Sequence, residues 1–460
     1  MTIRKFIIVA GAQGGDEGKG RIVDELITRN VKEYGAENVV VLGSNGGSNA
    51  GHTISFDGNE YHVHYLTSGS VSPGVVQVLG SGKVVEPISV KDELSTLTDF
   101  TDLLDRTYID ENTHITTIPH ILLDKGVLSK EIGTTSKGIG PTYSTKYART
   151  GIRIKDAMRM SDDELREKLQ KLYKSMGFSD LMDLKFNYID FSEKPPKPIY
   201  LKTLEILKGD YDIKNIRWIQ STFKIVNHLW FRETLFPLDK VFIVELSNAL
   251  LLDITNGTYP NVTSSNCTSS GILESLGLSL MDMLQFQNNI EIIGVMKSYP
   301  TRVGSGCLPS LMTQEDESIA ETIIENGKEF GVTTGRKRRP GWPDVVLARY
   351  SAKINGYTSF NITRLDNLSH CDKIKICVEY RTKTGQKIEY FPSSDEVLAE
   401  LIPVYEELDG WSGFSFKEVT AYIDLHENVK KFIEFMENKI GVPIKYINTG
   451  KDRGMMIIKE

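Results

Sequence analysis

Two acidic residues stand inside a glycine-rich turn, Gly11-Ala12-Gln13-Gly14-Gly15-Asp16-Glu17-Gly18-Lys19-Gly20. Glycines between a strand and a helix let backbone N–H groups close on phosphate oxygens, and the helix N-terminus adds partial positive charge. Lys19 would add a full charge. A carboxylate in such a cradle repels phosphate unless it ligates a metal or takes a proton from the bound molecule. The Walker pattern G-x-x-x-x-G-K-[S/T] fails twice here, because Gln13 stands at its first glycine and Gly20 follows the lysine. An ordinary P-loop NTPase is therefore disfavoured. A tight structural turn is the plain alternative, but such a turn needs neither Asp16 nor Glu17.

The flanking sequence says what holds this turn. The apolar run Phe6 to Ala10 reads as a strand, and Ile22, Val23, Leu26 and Ile27 recur at helical spacing after it. The alternation continues with Val39 to Leu42, which ends in a second glycine-rich stretch, and with Val241 to Leu246, Ile290 to Val295, Phe360 to Thr363 and Ile374 to Tyr380. Strands separated by helical stretches predict an α/β fold with a large, mainly parallel, doubly wound central sheet and flanking helices. Ser161-Asp162-Asp163-Glu164 reads as a capping box, with Leu165, Leu169, Leu172 and Met176 on one face of the helix that follows. That stretch opens a predicted helical insertion over about residues 157–235. Within it Glu193-Lys194-Pro195-Pro196-Lys197-Pro198 reads as a surface turn or short extended segment. With no linker that would separate modules, residues 1–460 are expected to form a single domain carrying that insertion.

Composition narrows the partners. The 460 residues exceed the ~150-residue prior for one domain about threefold. The 54 Lys+Arg against 61 Asp+Glu give a net charge of −7, so the overall field does not attract nucleic acid or anionic membrane, and an anionic ligand needs a local site. Cys267, Cys307, Cys371 and Cys377 have no C-x-x-C spacing and signal neither zinc nor a disulfide framework. No apolar run reaches the ~18 residues of a membrane span, and the run at Phe6 is too short for a signal peptide. A cytoplasmic protein is the expectation.

Six blocks occur in one order: G-D-E-G-K-G at Gly15 to Gly20, G-G-S-N-A-G-H-T at Gly46 to Thr53, G-T-T-S-K-G-I-G-P-T-Y at Gly133 to Tyr143, D-I-T-N-G-T-Y-P at Asp253 to Pro260, V-T-S-S-N at Val262 to Asn266 and G-V-T-T-G-R-K-R-R at Gly331 to Arg339. In this order they resemble the adenylosuccinate synthetases, and the wording around Asn248 resembles the eukaryotic, fungal-like branch. The resemblance runs from Gly11 to Arg453. It implies a carbon–nitrogen ligase of purine biosynthesis that uses GTP and Mg²⁺ to join L-aspartate to inosine monophosphate (IMP).

That reaction first phosphorylates the C6 oxygen of IMP and then displaces phosphate with the aspartate amine. The resemblance implies that Asp16 takes the purine N1 proton and ligates the metal together with Gly51, and that His52 donates to phosphate oxygens during transfer. Lys19 joins them as the third catalytic residue. IMP would be held by Asn49, Thr135, Asn248, Thr263 and Arg336, with Arg149 reaching the site of the neighbouring subunit in a homodimer. GTP would be held by Gly15, Glu17, Gly18, Lys19, Gly20, Gly51, His52, Thr53, Arg338, Arg364, Asp366, Thr449, Gly450 and Lys451. Thr333, Thr334 and Arg336 would close on aspartate, where a guanidinium fork suits a carboxylate. Arg336-Lys337-Arg338-Arg339 could also be read as a nucleic-acid patch, but a site handling two nucleotides and a dicarboxylate explains four cations with less. Thr363-Arg364-Leu365-Asp366 resembles the guanine motif T-K-L-D, whose acid accepts from guanine N1–H and the 2-amino group; adenine lacks that donor pair.

The departures from the family pattern lie near the chemistry. Gly14 replaces Trp, Leu311 a Glu, Arg364 a Lys and Thr67 a Pro, while Ser81 and Lys83 alter a G-N-G-V-V stretch. Losing the indole is expected to remove packing surface and free the loop backbone. A diverged paralogue with another purine substrate, and a guanine-nucleotide-binding regulatory protein with little turnover, are the competing readings. Phosphate release with GTP, IMP and aspartate together separates them.

Overall fold

The computed structural model describes residues 4–128, 134–190, 196–286, 289–302, 306–330, 337–388, 390–450 and 452–459. Ten strands form the central sheet: β1 Lys5–Gly11, β2 Val39–Gly43, β3 Val76–Leu79, β4 Thr107–Asp110, β5 Lys224–Val226, β6 Val241–Glu245, β7 Ile290–Lys297, β8 Ser359–Thr363, β9 Ile444–Asn448 and β10 Met456–Ile458. Their spatial order is β5-β4-β3-β2-β6-β1-β7-β8-β9-β10. Every neighbouring pair is parallel except β9 with β10 at one edge. The mainly parallel α/β sheet read from the sequence is the one observed.

Side-chain alternation explains why β1 lies at the centre. Phe6, Ile8 and Ala10 join a core cluster on one face of the sheet, while Ile7 and Val9 join another on the opposite face. A strand apolar on both faces is stable only when helices or loops cover both. Helix α1, Lys19–Tyr34, supplies one cover: Ile22, Val23, Leu26 and Ile27 pack with Ile7, Val9, Val39, Val41, Val241 and Ile243. The other cover includes an aromatic cluster in which the Phe6 and Phe286 rings lie 5.3 Å apart, with Phe236 and Phe242 beside them.

One strand read as part of the alternation belongs elsewhere. Residues Lys373–Arg381 pair antiparallel with Ile402–Asp409 in a separate two-stranded sheet, because their apolar side chains pack against the outer helix Val345–Asn355 and its neighbours. The stretch near residues 157–235 contains helices Asp162–Ser175, Thr203–Lys208 and Asp210–Thr222, a hairpin of Lys185–Asp190 with Lys197–Lys202, and the edge strand β5. The capping box forms: Ser161 Oγ accepts from the Glu164 N–H at 3.3 Å, and the Glu164 carboxylate accepts from the Ser161 N–H at 2.8 Å. Leu165, Leu169 and Leu172 are buried on the predicted face. Residues 193–195 of the proline-rich stretch lie outside the described residues; Lys197 and Pro198 begin the second strand of the hairpin. Among the described residues no helix is long and apolar enough to cross a membrane.

Candidate active site

In a parallel sheet the loops at the strands' carboxyl ends converge, and ligands bind in the crevice where strand order reverses. β1 is such a point, because its chain neighbour β2 lies beyond β6. Six carboxyl ends gather the candidate residues. β1 leads into the Gln13–Gly18 turn, β2 into Ser44–Gly51, β6 into Leu246–Ala249, β7 ends at Lys297, β8 leads to Arg364–Asp366, and β9 leads to Thr449 and Gly450.

The phosphate-type turn is folded on its own acid. Glu17 is buried, and its carboxylate accepts from the N–H groups of Gly15 at 2.7 Å and Gln13 at 3.2 Å and from Lys19 Nζ at 3.0 Å. Those are the donor types a phosphate would use, so Glu17 occupies the role of the anion. Asp16, the next acid, adopts a left-handed φ of 59°, a conformation that L side chains rarely hold without a surrounding constraint. Its carboxylate is partly exposed and accepts from Nη2 of Arg338.

Space explains why Gly20 replaces the Ser/Thr of a Walker loop. A Cβ on Gly20 would lie 3.0 Å from Cβ of His52 and 3.2 Å from the Thr53 carbonyl, so a bare helix start lets His52 approach α1. His52 opens the short strand His52–Phe56, is buried, and places Nδ1 2.8 Å from Oε1 of Glu245. Glu245 also accepts from the Ser68 N–H and hydroxyl at 2.7 and 2.6 Å. Burial alone would raise the Glu245 carboxyl, but His52 and Ser68 hold it below its ordinary value.

Several candidates for the IMP side meet. Asn49 Nδ2 donates to Thr263 Oγ1 at 3.1 Å across 214 positions of chain, and Asn49 Oδ1 accepts from the Gly47 N–H. Asn248 has a left-handed φ of 62° and a buried Oδ1 without a partner among the described residues. Its neighbour Ser247 exchanges hydrogen bonds with the side chain of Asn45, at 2.9 and 3.2 Å, which joins the loops after β2 and β6. Thr135 is half-buried just ahead of helix Ile139–Tyr147. Arg149 stands apart: it is exposed, left-handed at φ 63°, and its guanidinium has no partner among the described residues.

On the other side the guanine-type motif touches the phosphate-type turn. Thr363 Oγ1 donates to the Glu17 carbonyl at 2.9 Å, and Ser298 holds the carbonyls of Thr363 and Arg364 at 2.8 and 2.9 Å. Arg364 is exposed with a left-handed φ of 63°, and Asp366 follows it. Asp366 is itself exposed, and neighbouring protein partly desolvates its carboxyl and pushes it up, with Arg364 acting against that rise. Parallel pairing of β8 with β9 brings Thr449 and Gly450 alongside. Gly15 and Gly18 belong to the turn itself, where a Cβ on Gly18 would lie 3.8 Å from the Thr363 methyl; Gly51 directly precedes the strand that His52 opens, and the Thr53 hydroxyl lies 3.1 Å from His62 Nδ1. Thr333, Thr334, Arg336 and Lys451 lie outside the described residues.

The departures are accommodated. A Cβ on Gly14 would meet the Thr301 carbonyl at 2.7 Å, so the loop is packed where freed backbone was expected. Leu311 packs against a satellite apolar cluster that includes Leu308 and Leu347. Thr67 donates through its N–H and hydroxyl to Gln77, bonds a proline could make neither of. Ser81 bonds the Ser275 carbonyl, and Lys83 is buried against the Tyr65 ring and the Asn45 carbonyl.

Sequence reasoning passed over Glu245, Asn45 and Glu329. Each is a polar residue in or beside an apolar strand or loop, and a single sequence holds no sign of which remote group it meets. Glu245 alone left a trace, as an acid ending an otherwise apolar strand.

Among the described residues no group of three His, Cys, Asp or Glu could hold a metal. Asp16, the partly exposed acid of the turn, offers carboxylate oxygen, the donor type that hard divalent cations take.

Comparison with known proteins supplies the family. The adenylosuccinate synthetase family model matches residues 8–457. The adenylosuccinate synthetase of Saccharomyces cerevisiae (strain Lalvin EC1118) is 37% identical over 464 residues, covering 98% of this chain and 99% of its own. That of Uncinocarpus reesii is 38% identical, with 98% of both chains covered. The fully ligated adenylosuccinate synthetase from Plasmodium falciparum superposes with a TM-score of 0.83 at 33% identity, covering 99% of this chain and 100% of that one. A cyanophage S-2L succinoaminodeoxyadenylate synthetase shares the fold, with a TM-score of 0.58 at 16% identity. With a sheet whose carboxyl ends gather these loops and a family match across nearly its whole length, the chain belongs to the adenylosuccinate synthetases, GTP-dependent carbon–nitrogen ligases of purine biosynthesis.

Proposed function

We propose that the loops around β1 carry out GTP-dependent ligation of L-aspartate to IMP through the following residues. Asp16 takes the N1 proton of IMP, which makes the C6 oxygen nucleophilic toward the γ-phosphate of GTP. Arg338 holds that carboxylate until the substrates are seated. The observation that carries this reading is the pair of poised groups: a partly exposed acid in a left-handed turn, held by Arg338, and a histidine packed against the helix that follows that turn, its Nδ1 committed to a buried carboxylate. With Nδ1 committed, Nε2 is the atom left to donate to phosphate oxygens as charge builds. Lys19 leaves Glu17 for the GTP phosphates, and the turn's N–H groups follow. Asp16 and the Gly51 carbonyl would hold Mg²⁺, which would supply charge neutralisation of the phosphates.

Asn49, Thr135, Asn248, Thr263 and Arg336 hold IMP; Thr333, Thr334 and Arg336 hold aspartate. The remaining turn residues, with Thr53, Arg338, Arg364, Asp366, Thr449, Gly450 and Lys451, hold GTP. Arg149, exposed and without a side-chain partner among the described residues, completes the neighbour's IMP site in a cytoplasmic homodimer.

The test is succinyl-purine formation and phosphate release with GTP, IMP, aspartate and Mg²⁺. Asp16→Asn should lower turnover about 10²–10⁴-fold while binding of IMP and GTP persists. A variant with more than a third of wild-type turnover removes Asp16 from the proton transfer.

A further inference from the structure

Beneath the phosphate-type turn lies a buried carboxylate to which none of the roles above assigns a part. Glu329 is fully buried, and the partners of its carboxylate among the described residues carry charge or a hydroxyl. Oε2 accepts from Nη1 of Arg338 at 2.6 Å and from Lys297 Nζ at 2.9 Å, while Oε1 accepts from Lys297 Nζ at 3.1 Å and from the Tyr299 hydroxyl at 2.9 Å. A carboxylate with this many donors can move only by breaking several charge-assisted bonds at once, so it is a fixed point. Burial alone would raise its pKa, yet Lys297 and Arg338 hold it down at about 2, so it is ionised at any working pH.

Each partner leads outward to a different part of the site. Arg338 spends its second arm, Nη2, on Asp16, and its N–H bonds the Glu329 carbonyl at 2.9 Å. Lys297 ends β7, and its backbone exchanges two hydrogen bonds with the side-chain amide of Gln13, at 3.0 and 3.1 Å, inside the turn. Tyr299 accepts from Nδ2 of Asn367, the residue after Asp366. One side chain is therefore linked to the acid that faces the substrate, to the floor of the turn and to the guanine-type motif.

We propose that Glu329 is a positioning residue that fixes the Arg338 guanidinium against Asp16 and, through Tyr299 and Asn367, sets the guanine-type motif relative to the phosphate-type turn. The inference rests on the reading of Asp16 and Asp366 given above. A guanidinium held at one end by a buried carboxylate presents its other end within a narrow arc. Without that hold, Arg338 is free to swing onto Asp16 with both arms, and the acid is then poorly placed for N1. Geometry of this kind is worth about 10–10²-fold in turnover.

The experiment is a double-mutant cycle on full-length enzyme, reading kcat, the KM for GTP and the Kd for IMP. Glu329→Gln should lower kcat about 10-fold or more with IMP affinity within threefold of wild type, and Glu329→Asp, which keeps the charge, should recover part of the loss. Because both act through one guanidinium, Glu329→Gln added to Arg338→Met should cost little beyond Arg338→Met alone. Tyr299→Phe should raise the KM for GTP several-fold, with a smaller fall in kcat than Glu329→Gln. Independent multiplication of the Glu329 and Arg338 effects, or more than half of wild-type kcat in Glu329→Gln, overturns the proposal. An unchanged KM for GTP in Tyr299→Phe overturns its guanine branch. Should Glu329→Gln lack a cooperative melting transition, the same cycle is read with Glu329→Asp under the same criterion. The cycle measures coupling to Arg338 and is independent of whether Asp16 takes the proton; that reading fails separately, through Asp16→Asn.

Discussion

Nδ1 of His52 lies 2.8 Å from Oε1 of Glu245, although His52 opens a hairpin strand and Glu245 ends a central one. The contact exists because Gly20 leaves room for His52 against α1 and because Ser68 holds the same carboxylate through two hydrogen bonds. A carboxylate behind a histidine sets which nitrogen carries the proton and steadies the imidazolium. Glu245→Gln should therefore lower kcat about 10–10²-fold, since the amide keeps the shape and removes the charge. Steady-state kinetics, with thermal melting as a control for folding, read this. A kcat within twofold of wild type would reduce Glu245 to a packing role.

A shared site makes a mixing prediction. Arg149→Leu and Asp16→Asn should each be nearly inactive alone. When subunits exchange, one site of the heterodimer holds both native residues, so about a quarter of wild-type activity per site pair is the upper bound for random pairing. Activity is measured after exchange has been verified by tagged subunits. No recovery would mean that Arg149 serves its own subunit or none.

The nucleotide donor should be GTP, with at least about 10²-fold preference over ATP in kcat/KM. Facing adenine, Asp366 would lose charge-assisted hydrogen bonds worth ~1.5–3 kcal/mol each. Asp366→Asn should weaken GTP selectively. Arg364→Lys should change affinity modestly and preference hardly at all, because Arg364 holds its backbone through Ser298 and keeps an exposed side chain that a lysine stem can replace. Equal use of both nucleotides by the wild type would make Thr363 to Asp366 a strand end and nothing more.

Lys83 gives the protein a pH signature. Burial pushes its ammonium down to about 8 from the ordinary 10.5, with Glu93 and Glu245 acting against that shift. Between those values the unfolded chain binds more protons than the folded one, so this group's contribution to stability rises with pH and is least favourable below 8. From pH 7.5 to 10 the wild type should gain ~2 kcal/mol relative to Lys83→Met. Denaturant unfolding of both proteins at the two pH values measures this difference. Parallel pH dependence would show that Lys83 titrates as an ordinary surface lysine.

The legible part of this protein was local. The apolar run before Gln13 and the period of Ile22, Val23, Leu26 and Ile27 dictate strand, turn and helix, since burial of one face follows directly from side-chain spacing. Six ordered motifs named the family, and the acids and cations within them were visible as residue types. Strand membership was less legible. Lys373–Arg381 has the same apolar wording as β8, and only its packing against an outer helix assigns it to a separate sheet. The pairings that make the site were not in the sequence at all. Lys297 meets Glu329 across 32 positions of one connection, and Arg338 meets Asp16 across 322, a contact that depends on the strand before that connection lying beside β1 in the sheet. A buried charge is tolerated only where its counter-charge arrives. That arrival is a property of strand order and loop closure, which no local stretch of residues encodes.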